Sequence, residues 1–80
     1  MTRENVFEKL RDIFADVFDR DDIALTDATT AADIEEWDSL MHITLIGTIE
    51  AEFGIKFQMK DIVGMKNVGA LADRILELAK

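Results

Sequence analysis

The sequence predicts an all-α fold: a small antiparallel four-helix bundle of three main helices and one short one, with a long loop between helices one and two. Three observations predict it. Apolar residues recur at steps of three and four in separate stretches of the chain. Proline is absent, and the aromatic residues are Phe and Trp alone. Residues that cap helix starts (Asp38, Ser39, Asn67) and glycines that end helices (Gly54, Gly64) punctuate those stretches.

The first element covers residues 5–18. Val6, Phe7, Leu10, Ile13, Phe14, Val17 and Phe18 fall on one stripe of a helix, while Glu8, Lys9, Arg11 and Asp12 fill the opposite side. The run Asp19-Arg20-Asp21-Asp22 ends it. Residues 19–37 show no sustained period, and residues 26–30 carry turn chemistry. This connection is long for a compact domain. It is expected to lie across the helices, pinned by Ile23, Leu25, Ile34 and Trp37, with one short turn near 30–34.

A second helix begins at Asp38 or Ser39 and closes at Gly54, its inner stripe read as Leu40, Ile43, Ile46, Ile49 and Phe53. Gly47 inside it costs ~1 kcal/mol relative to Ala and marks close packing or a need for interior space. Ile55 and Phe57 flank Lys56 in a short extended link. Met59, Ile62 and Val63 then suggest a brief helix ended by Gly64. Asn67 caps a last helix with Val68, Leu71, Ala72, Ile75, Leu76 and Ala79 inward. Helices one, two and four share the core; the short helix and the link before it offer few apolar anchors and are expected to be mobile.

At 80 residues, 49% hydrophobic and 32% charged, the chain reads as a single globular domain, 1–80. Without cysteine it has no disulfide, and one histidine cannot build a typical zinc site. The acidic run after the first helix lacks the glycine and terminal glutamate of an EF-hand, and no glycine-rich phosphate cradle is present. No apolar run is long enough to cross a bilayer and no signal pattern opens the chain, so a cytoplasmic location without membrane insertion is expected. A net charge of −8 argues against nucleic acid and for partners with basic docking surfaces. Nothing in the sequence demands more than a monomer.

The informative stretch is Glu36-Trp37-Asp38-Ser39-Leu40. Asp-Ser-Leu alone is a common tripeptide. Here it opens a helix after a long acidic loop in a small acidic helical chain. With the segment Ile49-Glu50-Ala51-Glu52-Phe53-Gly54-Ile55, and a short helix before Asn67-Val68, it resembles the acyl carrier protein family over nearly the full length. The resemblance implies a carrier and not an enzyme. In that family the serine of Asp-Ser-Leu, here Ser39, carries 4′-phosphopantetheine donated by coenzyme A. The implied partners are a phosphopantetheinyl transferase, an acyl-loading ligase or acyltransferase, and downstream acyl-processing enzymes.

The residues support Ser39 independently, because a helix N-terminus leaves N–H groups unpaired and favours an anion. The plainer alternative is an N-cap serine. Asp38 reads as part of the transferase's recognition sequence or as a cap, and Leu40 as core edge. Met41 is an exposed apolar contact or is partly covered by the loop. His42, three residues past Ser39, reads as a neighbour of the phosphate, a partner contact or a lone surface histidine. Glu36 and Glu50 belong to the acids that steer partners, with solvated charge as the alternative. Trp37 fastens the loop or shields the arm. An acyl chain would tuck between the second and third helices, lined by Ile46, Ile49, Phe57, Ile62 and Trp37, with room left by Gly47.

Departures from the family pattern stand beside this. Met41, His42, Thr44, Gly47, Thr48 and Ala51 make the second helix largely neutral, and Lys56, Lys60 and Lys66 follow it. These favour a specialised stand-alone carrier of lipid, polyketide or related biosynthesis over the housekeeping carrier of fatty acid synthesis. A peptidyl or amino-acyl carrier with the same arm is the alternative, and an unmodified helical interaction module is a more distant one.

Overall fold

The computed structural model describes residues 2–20 and 22–79; Asp21, in the acidic run expected to end the first helix, lies outside them. Four α-helices follow in order: α1 Arg3–Phe18, α2 Ser39–Phe53, α3 Met59–Val63 and α4 Val68–Leu78. Side chains cap the starts of α1, α2 and α4 and satisfy part of their free N–H groups. Thr2 Oγ1 accepts from Asn5 N–H while Asn5 returns the bond to the Thr2 N–H. Asp38 caps α2, and Asn67 caps α4 by accepting from the Ala70 N–H at 2.8 Å. Gly54 ends α2 at φ 65°, a left-handed conformation that glycine adopts without steric cost.

Helix α1 is the centre of the bundle, packing on α2 and on α4. Val6, Leu10, Ile13, Phe14 and Phe18 form its buried stripe. They join Leu45, Ile46 and Ile49 of α2 and Val68, Leu71, Ala72 and Ile75 of α4 in one core. Helix α3 contributes no buried residue. Ile62 packs half-buried against the core, Arg74 of α4 pairs with Asp61 at 2.9 Å, and the His42 ring meets the Ile62 carbonyl at 3.3 Å.

The long loop lies across the helices as expected. Leu25, Ile34 and Trp37 are buried and Ile23 is half-buried; the expected turn is a 3-10 helix at Ala31–Asp33. The sequence did not reveal how firmly the loop also grips α4. Thr29 and Asp27 carbonyls accept from the Val68 and Gly69 N–H groups at 2.8 and 3.0 Å, which occupies the start of that helix. Thr29 is itself buried; its hydroxyl accepts from the Thr26 N–H at 2.9 Å. Arg3 completes the seam by pairing with Asp27 at 2.6 Å and Asp73 at 2.9 Å.

The stripe read for α2 needs correction. Leu40, expected at the core edge, and Ile43 are 73% and 69% exposed, while Leu45, absent from that stripe, is fully buried. Met41, favoured as the exposed contact, is half-buried against the core. The first two turns of α2 carry apolar residues on every side, so spacing alone does not single out the face that packs.

Candidate functional site

Ser39 stands at the loop–helix junction. The extended backbone of Asp38 (φ −100°, ψ −174°) delivers the chain to the helix, and Asp38, not Ser39, is the N-cap. The Asp38 carboxylate accepts from the Met41 N–H at 2.9 Å, and its carbonyl accepts from the His42 N–H at 2.8 Å. Ser39 is thus the first helical residue. Its side chain is exposed and, among the described residues, neither its N–H nor that of Leu40 has a partner. A phosphodiester on this hydroxyl would meet two free donors and the positive end of the helix dipole. The adjacent Asp38 carboxylate is committed to its cap and works against that attraction. The site fits a covalently held anionic group with its far end in solvent.

The junction is braced from the loop side. Trp37, 8% exposed, stands edge-on to Phe14 with ring centroids 5.3 Å apart, so it fastens the loop to α1 as expected. Its indole N–H donates to His42 Nδ1 at 3.0 Å, and the two rings are nearly parallel. His42 is therefore not a lone surface histidine: it joins the loop, α2 and α3. Glu36 pairs with Arg20 at 3.0 Å. Glu50, half-buried, accepts from the Phe57 N–H at 2.8 Å and holds the link after α2. Both acids have local partners, which the sequence did not show.

Ile46, Ile49, Phe57 and Trp37 are buried and Ile62 is half-buried, while Gly47 is exposed with nothing within 4 Å of where a Cβ would stand. Clefts lie elsewhere, one lined by Ile23, Thr29 and Ile34 beside Arg20, another by Arg3, Phe7 and Leu25. Gly47 marks neither close packing nor an interior opening.

The surface around Ser39 differs from the rest of the molecule. Four large apolar side chains are exposed on the helices that follow Ser39: Leu40 and Ile43 of α2, and Met59 and Val63 of α3, the last two 74% and 77% exposed. Residues 1–38 hold twelve acids and four bases, whereas residues 39–80 hold five of each. The whole net charge lies on residues 1–38, and residues 39–80 are balanced in charge.

These features define a class of protein: a helical bundle that offers an exposed serine at a helix start beside an apolar face. Comparisons narrow it. The family described as a phosphopantetheine attachment site matches residues 8–75. An acyl carrier protein of Lactobacillus acidophilus is 30% identical over 69 residues, 86% of each chain. The solution structure of holo acyl carrier protein from Geobacter metallireducens superposes with a TM-score of 0.87 at 44% identity, covering 91% of this chain and 84% of that one. The chain belongs to the phosphopantetheine-binding acyl carrier family. It is a carrier and not a catalyst, its prosthetic group is covalent phosphopantetheine, and its partners are a phosphopantetheinyl transferase and acyl-processing enzymes.

Proposed function

We propose that Ser39 is the residue that bears the arm, and that residues 1–80 act as one carrier domain. The observation that carries this is the exposed Ser39 hydroxyl at the first position of α2, with the Ser39 and Leu40 N–H groups free beside it. The phosphopantetheine thiol, when present, supplies the attachment point for acyl cargo. The chain's own residues do the rest. Asp38 holds the helix start, the helix dipole and the two free amides steady the phosphate, and Trp37 with Phe14 keeps the junction fixed to the bundle. Tethering raises the effective concentration of cargo at a docked enzyme.

Intact mass tests the site. After incubation with coenzyme A and a broad-specificity phosphopantetheinyl transferase, wild type gains one phosphopantetheinyl group and Ser39→Ala gains none. Equal modification of both would sink the assignment.

The balanced charge of residues 39–80 and the exposed apolar residues of α2 and α3 support a specialised stand-alone carrier in lipid, polyketide or related biosynthesis, acting in the cytoplasm. They also change the picture of docking. Leu40, Ile43 and Val63 offer apolar contact, while Asp38, Glu36 and Glu50 hold bonds within the fold. Partners that act on Ser39 meet an apolar surface first, with acids of the loop at its margin. Cargo between α2 and α3 has to part the two helices against the contact of the His42 ring with the Ile62 carbonyl. Loading with an acyl group then moves the amide resonances of Ile46, Ile49, Phe57 and Ile62; unmoved resonances mean that the chain stays outside.

A further inference from the structure

The bond pattern of His42 carries a consequence that goes beyond the carrier reading and does not depend on it. A ring nitrogen that accepts a hydrogen bond carries no proton. The Trp37 indole can only donate, so His42 Nδ1, 3.0 Å from it, is bare. The carbonyl of Ile62 can only accept, so Nε2, 3.3 Å from it, holds the proton. The two partners together select one tautomer of the neutral ring. We infer that His42 is a proton-operated latch on the loop segment that leads into α2.

Protonation acts on the two bonds unequally. A proton on Nδ1 confronts the indole N–H donor to donor and breaks that bond. The Nε2 bond to Ile62 survives, since the cation still donates there. Trp37 is buried against Phe14 and Phe18, so its released N–H has no solvent to turn to unless the segment lifts. Trp37 stands two residues before Ser39. The latch therefore couples pH to the conformation of the segment that presents the serine, while α3 stays tied to α2.

Other charged groups on the elements around the ring are accounted for. On the loop these are Glu35, Glu36 and Asp38; at α3 they are Lys60, Asp61 and Lys66. Glu36 pairs with Arg20, Asp38 caps α2, and Asp61 pairs with Arg74. Among the described residues none of them bonds to the ring, whose hydrogen-bond partners are Trp37 and Ile62. The near-parallel stacking of the two rings, 25° apart, keeps the cation beside the indole without restoring the lost bond.

The chain has one tryptophan and one histidine, so NMR reads both without ambiguity. The experiment follows the indole N–H and the two ring nitrogens of the full chain from pH 8 to pH 5, for wild type and His42→Gln. At pH 8 the wild-type ring holds its proton on Nε2. As the ring titrates, the indole resonance moves on the same one-proton curve. Indole N–H exchange, corrected for its intrinsic pH dependence, rises about tenfold, and the amides of α3 change less. In His42→Gln the indole response over this range is lost. A proton on Nδ1 at pH 8, a ring that titrates while the indole does not move, or the same curve in His42→Gln would each overturn the latch. The last would assign the response to the loop carboxylates. If His42→Gln does not fold, the wild-type tautomer and the match of the two wild-type curves decide the matter alone.

Discussion

Asp38 joins two properties that substitution can separate. Its carboxylate caps α2, and its charge stands beside the serine. Asp38→Ala is expected to destabilise the fold by about 1 kcal/mol, as loss of an N-cap does, whereas Asp38→Asn keeps the cap and most of the stability. Urea unfolding measures both, and a loading assay on the Asn variant then reports on charge alone. A second pair tests the corrected packing of α2. Leu45→Ala should cost about 2–5 kcal/mol as a buried truncation, and Leu40→Ala, largely exposed, less than about 0.5 kcal/mol. Ser39 stood out in the sequence as the candidate for the arm because a serine at the start of a helical run has few structural uses besides capping, and its neighbours carry a family pattern. The side of α2 that packs was not legible: Leu40, Met41, Ile43, Leu45 and Ile46 crowd two turns, and only contact with α1 chooses among them. The local partners of Glu36 and Glu50 were hidden for the same reason, since Arg20 and the Phe57 N–H reach them only after folding.

Among elements, the helix boundaries followed closely from the caps. Asp38, Asn67 and Gly54 act within a turn of their own position, so local sequence suffices to read them, whereas the Thr2 cap, which starts α1 at Arg3 ahead of the expected residue 5, was not read. The grip of the loop on α4 depends on residues some forty positions apart, and no local signal announced it. Gly69 shows the closeness of that seam. A Cβ there would stand 2.9 Å from Asp27 Oδ1 and 3.0 Å from the Asp27 carbonyl. Gly69→Ala is therefore expected to lower stability by about 1–3 kcal/mol, through overpacking against backbone. Gly47→Ala points the other way: with open space around the new methyl, helix propensity should raise stability by about 0.5–1 kcal/mol. Thermal melts of the two variants should move in opposite directions. Helix α3, with no buried side chain, should exchange its amide protons faster than α1 or α4.

For the whole molecule, the uneven charge matters more than its total. The sequence's −8 suggested basic partners, yet residues 39–80 are balanced in charge, and Lys56, Lys60 and Lys66 enter no ion pair among the described residues. Loading by the transferase should accordingly change less than about threefold between 50 and 300 mM salt, where strongly steered association slows far more. Acid acts on the seams. Hydrogen bonds from Arg20 hold the Asp22 carboxyl below its ordinary 3.8, and those from Arg3 do the same for Asp27. For Asp61 the Gln58 N–H is the main cause, with Arg74 adding to it. A depressed folded-state value means that this stability is present above pH 3.8 and fades as pH falls through the lower folded values. Melting temperature should thus show a carboxylate-driven drop below about pH 4, reduced in Asp27→Asn. The central place of α1 has a consequence for biosynthesis. Its buried stripe is completed by Leu71 and Ile75, and Arg3 finds Asp73 seventy residues away. While a ribosome is still making the chain, α1 has only part of its covering, so its buried stripe is complete only once α4 has emerged from the exit tunnel.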